Sequence, residues 1–308
     1  MLQRSPAMGP MAPVRVGKVH LESGGLSPLA ALFQQGGQLD PQLEEELENA
    51  EETRADCQDE GDVQGEAAAL LNIARIRYKQ KLIDKAMAAA RDAKALFREA
   101  EDKVGEAYAL EFIAEAWDSV SAYDKAAAAA ERARQQMKRV GDTMGEARML
   151  FLVCQNRILP LSKASSAEDV NKATKAANEF LELARGLNDP TAIGSALCAV
   201  SQVHVHKEKW KDALACIDEA LPLFSRADDV QNKASALLMV ARIQLVNNSL
   251  KKSLDAVQES LQLFRRCQDA QGEKACIEIL GKLREFEFRV DGEAAPLKQV
   301  IGQKVRCG

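Results

Sequence analysis

Six aspartates, Asp62, Asp102, Asp142, Asp189, Asp229 and Asp269, stand 40, 40, 47, 40 and 40 residues apart, and each precedes the same helical pattern of apolar residues. A chain that restarts one pattern at a fixed interval is building one supersecondary unit repeatedly. The phrase is nearly verbatim in three places, as GDVQGEAAALLNI from Gly61, EDKVGEAYALEFI from Glu101 and GDTMGEARMLFLV from Gly141. An aspartate placed there is a helix N-cap: its carboxylate accepts from the free N–H groups of the first turn, and its charge suits the positive end of the helix dipole.

Counting from each aspartate, the eighth residue is Leu70, Leu110, Leu150, Leu197, Leu237 or Ile277, and the eleventh is Ile73, Ile113, Val153, Val200, Val240 or Leu280. That spacing defines one buried face of a helix, called A here. The twelfth residue is always small (Ala74, Ala114, Cys154, Ser201, Ala241, Gly281), as close approach of a second helix requires. A second helix, B, follows in the first five units, marked by a bulky residue three before a small one: Ile83/Ala86, Tyr123/Ala126, Val170/Ala173, Trp210/Ala213 and Leu250/Ser253. Each unit is thus an antiparallel hairpin that cannot bury both apolar faces alone, so neighbours must stack. The expected fold is all-α, a solenoid of stacked hairpins.

The boundaries follow from this register. Residues 62–287 carry the repeats, with the last A helix expected from Glu273 to Glu287. Residues 25–61 read as a divergent capping hairpin built from Ser27–Gln35 and Pro41–Cys57, with 1–24 a disordered or targeting tail and 288–308 a C-terminal tail that covers the open end or hangs loose. Arg4, Arg15 and Lys18 without an acid before Glu22 give the N-terminal tail an organelle-targeting flavour, which Pro6, Pro10 and Pro13 oppose. The seven extra residues of the third unit fall in LPLSKASSAED, where Pro160 stops the A helix and Ser165 or Ser166 caps the next. Such a loop is either a contact or phosphorylation site or a neutral insertion.

Composition narrows the function classes. The chain has 308 residues, 46% hydrophobic but only 5% aromatic, which suits closely packed helices better than a sandwich or barrel. A net charge of -5 supplies no basic field for nucleic acid. No run of 18 apolar residues is present, so no integral membrane contact is expected and a cytoplasmic location is. The seven cysteines (Cys57, Cys154, Cys198, Cys216, Cys267, Cys276, Cys307) contain no CxxC pair and read as reduced thiols, mostly in the core.

No phosphate-loop, nucleophile-elbow, zinc-helix or EF-hand motif occurs, so neither an enzyme nor a cofactor or metal is expected. His204 and His206, two residues apart on a helix, point in different directions and suit no shared ligand. Trp210 occupies a packing position, whereas Trp117 is unassigned. The runs DKAAAAAERARQQM and QLEEELENAEE read as a close-packing B helix and a solvated face.

Leu70, Ile73, Ala74 and Ala86 fall where the tetratricopeptide repeat has its W, L, G and A, while Arg77 and Ala90 depart from its Y and F. The chain therefore resembles that family, and its 40-residue period with a GDxxGEA junction resembles the longer repeats of Pins-type spindle-orientation adaptors and kinesin light chains. The resemblance implies a right-handed superhelix whose A helices line a concave groove for a partner peptide or helix. The groove residues would be Arg75, Tyr78, Lys79, Glu111, Glu115, Asp118, Arg148, Gln155, Gln202, His206, Arg242 and Lys282, banded basic, acidic, basic over the first three units and suited to a partner of mixed charge. Such a protein is a non-enzymatic scaffold or adaptor. The alternatives are a SNAP-like membrane-fusion adaptor, with LSPLAALF (Leu26–Phe33) as its membrane-contacting loop, and an enzyme or enzyme regulator of the bacterial sensor-phosphatase kind, for which no catalytic constellation is present in the sequence.

Overall fold

The computed structural model describes residues 41–162 and 164–291, with the backbone alone for 286–291. The tail 1–24, the segments Ser27–Gln35 and Leu26–Phe33, Cys307 and residues 292–308 lie outside the described residues. Twelve helices are described: α1 (Pro41–Glu60), α2 (Val63–Lys79), α3 (Ile83–Glu99), α4 (Lys103–Ser119), α5 (Tyr123–Val140), α6 (Thr143–Ile158), α7 (Ala167–Leu187), α8 (Pro190–His206), α9 (Trp210–Arg226), α10 (Val230–Val246), α11 (Leu250–Arg266) and α12 (Ala270–Asp291). The architecture is all-α. Helix α12 starts three residues before and ends four residues after the span expected for it, running on through Phe286–Asp291.

All six aspartates cap. Asp62, Asp102, Asp142 and Asp229 accept from the N–H of Gly65, Gly105, Gly145 and Asn232 at 2.8–3.0 Å, Asp189 accepts from Thr191 at 2.9 Å, and Asp269 from Gly272 at 2.9 Å. Just before each capping aspartate the chain takes a left-handed conformation, at Gly61, Glu101, Gly141, Asn188, Asp228 and Gln268. That single residue turns the chain from a B helix into the next A helix.

The rest of the junction phrase has two further jobs. A Cβ on Gly105 would lie 2.2 Å from the Phe97 ring of the preceding B helix, and one on Gly272 2.3 Å from Phe264, so the glycine admits a close helix crossing. The glutamate that follows reaches back to an arginine of the same preceding helix: Glu66 to Arg54, Glu106 to Arg98, Glu146 to Arg134 and Glu273 to Arg265.

The chain divides into two compact units between Ala192 and Ile193, a boundary that passes through the first turn of α8. In the first unit α1 to α7 pack in sequence, and of the A helices α2 also touches α4 and α4 touches α6. In the second, Ser201 of α8 donates to the Ala213 carbonyl of α9 at 2.8 Å, α9 to α12 pack in sequence, and α10 touches α12. Within each unit the hairpins stack in a solenoid-like way. Helices α4, α6 and α10 are buried on nearly every side, whereas α3, α5, α9 and α11 bury one stripe, so the A helices form the inner layer of their unit.

Small residues mark the crossings as the register requires. Ala74, Ala114, Cys154, Ser201 and Ala241 are fully buried, as are Ala86, Ala126, Ala173, Ala213 and Ser253. At the crossing of α10 and α11 the Ser253 hydroxyl donates to the Ala241 carbonyl at 2.7 Å, satisfying a polar group that the contact would otherwise strand. In the third unit, Leu159 and Pro160 form a turn, Leu161 is buried, and Ser166 caps α7 by accepting from Asp169 N–H at 3.1 Å.

Candidate functional site

The inner face of the first unit is built from α2, α4 and α6. Its charges are largely matched within the chain. Arg148 of α6 meets Glu111 of α4 at two points, Nε to Oε1 at 2.6 Å and Nη2 to Oε2 at 3.0 Å, and Glu111 is buried. Arg75 of α2 is half-buried; burial lowers its pKa, and the Glu111 and Glu115 carboxylates of α4 oppose that shift. For Arg148 burial acts in the same direction, but the charge and hydrogen bonds of Glu111, with Tyr108 and Asp142 adding to them, together raise the pKa. The expected bands of basic, acidic and basic charge are therefore a ladder of mutually compensating groups running from helix to helix.

Two expected groove residues point elsewhere. Tyr78 is only 6% exposed and packs edge-on against Phe112 of α4, with ring centroids 5.7 Å apart. Lys79 pairs with Glu46 of α1 at 3.3 Å, beside the Arg77–Glu51 pair at 2.9 Å, so α1 draws both cations to its side. Glu115, Asp118 and Gln155 are half-buried on α4 and α6.

In the second unit Gln202, His206 and Arg242 are half-buried and Lys282 is exposed. Gln202 approaches the Met239 sulfur of α10 at 3.9 Å. Burial lowers the pKa of Arg242, which Glu278 of α12 counteracts. Arg242 and Glu278 thus repeat the relation of Arg75 and Glu111: the thirteenth residue after one aspartate faces the ninth after the next. Burial also lowers the pKa of His206 and His204.

Two features lay beyond the sequence reading. A cavity of about 340 Å³ opens between α1, α2 and α3, with Leu70 and Ile73 among its lining and Arg54, Arg77, Glu51 and Asp92 around them. Trp117 receives a role, its ring lying 4.4 Å from the Lys125 ammonium. Cys198 is fully buried, which pushes its thiol up to about 12, and Cys154 is raised by burial in the same way. Among the described residues no group of three or more His, Cys, Asp or Glu side chains is disposed to hold a metal ion, and no helix is long and apolar enough to cross a membrane.

No protein-family model matches the sequence, and no curated protein does. Solved structures match it in fold. The apo form of RapI superposes with a TM-score of 0.61 at 15% identity, over 77% of this chain and 81% of that one. A Rap protein complexed with Competence and Sporulation Factor gives 0.56 at 17% identity, over 78% of this chain and 64% of that one. A signal-transduction ATPase with a tetratricopeptide repeat sensor from Pyrococcus horikoshii gives 0.56 at 14% identity, over 74% of this chain and 36% of that one. This chain spans less than two thirds of the last two proteins. At these identities the fold is what is shared: a helical repeat like those of the tetratricopeptide and Rap proteins.

Proposed function

We propose that the chain is a non-enzymatic scaffold or adaptor that holds a peptide or helix of a partner protein on the inner, A-helix face of its repeats. The observation that carries this reading is one column of the register. The thirteenth residue after each aspartate is Arg75, Glu115 and Gln155 in the first unit and Gln202, Arg242 and Lys282 in the second, long and polar in every repeat, while in the first five the residue before it is buried in packing. Within each unit, a face that is polar, largely half-buried and periodic offers hydrogen bonds at regular intervals to an extended or helical partner. The column carries both signs, basic at Arg75, Arg242 and Lys282 and acidic at Glu115, which suits a partner of mixed charge.

The fold likeness adds support of a general kind, since a Rap protein of similar fold is complexed with Competence and Sporulation Factor. The finer reading is a right-handed superhelix of the 40-residue type, related in design to Pins-type adaptors and kinesin light chains, working without cofactor in the cytoplasm.

The test is capture of partners from native lysate by three forms of the protein, read by mass spectrometry. One carries Glu115→Arg with Gln155→Glu on the inner face, and a control carries Arg91→Glu with Arg132→Glu on exposed B-helix positions. Glu111 and Arg148 are left alone because they hold each other. Partners lost only from the inner-face variant support the reading. Partners lost only from the control place the interaction on the B helices and sink it.

A further inference from the structure

The cavity of the first unit has α1 and α3 as its walls and α2 as its floor, through Leu70 and Ile73, the eighth and eleventh residues after Asp62. The same place recurs further along the register between α5 and α7, above α6. There Arg134 of α5 donates to Glu146 of α6 at 3.5 Å and to Glu179 of α7 at 2.9 Å. The second bond spans the gap between neighbouring B helices. Arg54 of α1 stands in the place of Arg134, and Asp92 of α3 in that of Glu179, once the seven extra residues of the third unit are allowed for. Arg54 keeps the first of these bonds, to Glu66 at 3.2 Å. It lacks the second, and Asp92 is one methylene shorter than Glu179. Arg77, the other cation of the lining, is held by Glu51 at 2.9 Å. Asp92 is thus an exposed carboxylate at a cavity whose cations are both committed, and among the described residues it has no ion-pair partner.

We propose that this cavity binds an arginine side chain of a partner polypeptide, which brings to Asp92 the guanidinium that Arg134 brings to Glu179. Leu70, Ile73 and Ala89 present apolar surface for the methylene stem, and the charged head stays at the wet rim beside Asp92. The fork of N–H groups meets a carboxylate at two points, as Arg148 does with Glu111. Charge decides the sign of the ligand. With Arg54 matched by Glu66 and Arg77 by Glu51, Asp92 leaves one negative charge, which an acidic or neutral side chain would not answer. Arg75 is two residues on from Ile73 and points about 200° around α2 from it, so this site is distinct from the inner face and does not depend on the reading of that face.

Methyl NMR of the full chain tests this. The probes are a capped alanine peptide with one arginine at its centre and its citrulline counterpart, which keeps the shape and loses the charge. The arginine peptide is expected to shift the Leu70 and Ile73 methyl signals saturably, and the citrulline peptide to leave them in place. Asp92→Asn should weaken binding about tenfold or more, as loss of a charge-assisted contact does. Asp124→Asn, at an exposed position of α5, should leave it unchanged. Both aspartates are exposed, and the remaining methyl signals check that each variant keeps the fold. Absence of saturable shifts overturns the proposal, as does equal binding of the citrulline peptide or undiminished binding by Asp92→Asn. Tighter binding of agmatine than of the peptide overturns it in favour of a free small cation. Shifts that grow with protein concentration alone overturn it in favour of a second copy of the chain.

Discussion

Glu111 of α4 and Arg148 of α6, 37 residues apart in the chain, share a two-point ion pair that ties consecutive A helices together across the inner face. Both side chains are mostly out of water, so each needs the other. Glu111→Ala should cost about 1–3 kcal/mol, because it leaves a half-buried guanidinium without its acceptor. The swap Glu111→Arg with Arg148→Glu should recover part of that. Urea melts of the four members of the cycle measure the coupling, and additivity of the two single losses would mean that the pair contributes nothing as a pair.

Glycines at different sites predict opposite signs. Gly105→Ala drives a methyl group into the Phe97 ring, for an expected loss of about 1–3 kcal/mol. Gly186→Ala, inside α7 with nothing within 4 Å of the added carbon, should gain up to about 1 kcal/mol from helix propensity. Thermal melts of both variants decide the matter; equal effects would mean that the junction glycine is not set by the helix crossing.

The left-handed turn residue gives a second such contrast. Glu101 sits at φ 55°, where Gly61 and Gly141 occupy the equivalent turns. Glu101→Gly should stabilise by about 0.5–1 kcal/mol by removing the clash of its Cβ in that conformation. Gly141→Ala should destabilise by about 1 kcal/mol for the same reason. A stabilising Gly141→Ala would show that the turn relaxes to another conformation.

Stability should fall in mild acid through the histidines of α8. Burial lowers the pKa of both His204 and His206 below the ordinary 6.5, so the unfolded chain takes up protons before the folded one does. Their contribution is intact above 6.5, is lost as pH drops through that value, and stops changing below the folded pKa values. The double variant His204→Gln with His206→Gln should show a shallower decline of Tm between pH 7.5 and 5.5 than the unmodified protein. An unchanged slope would assign the acid sensitivity to other groups.

The hairpins, their caps and their crossing points were legible in the sequence because each is set by local chemistry. An aspartate needs only its own first turn to cap, a small residue at a fixed offset marks a close crossing whatever the neighbour is, and a 3.6-residue period shows which face is buried. What the tertiary structure alone decided is lateral. Whether Arg148 meets Glu111 or faces a partner depends on the offset between α4 and α6, and no spacing within either helix contains that offset. Tyr78 was read as a groove residue by counting from the buried register, but its ring packs edge-on against Phe112 of the next A helix. Lys79 was drawn to Glu46 by α1, a helix outside the six-fold register. Ile277 carries the residue type of a buried position and is exposed because burial belongs to a pair of helices, and among the described residues α12 has no following partner to complete it.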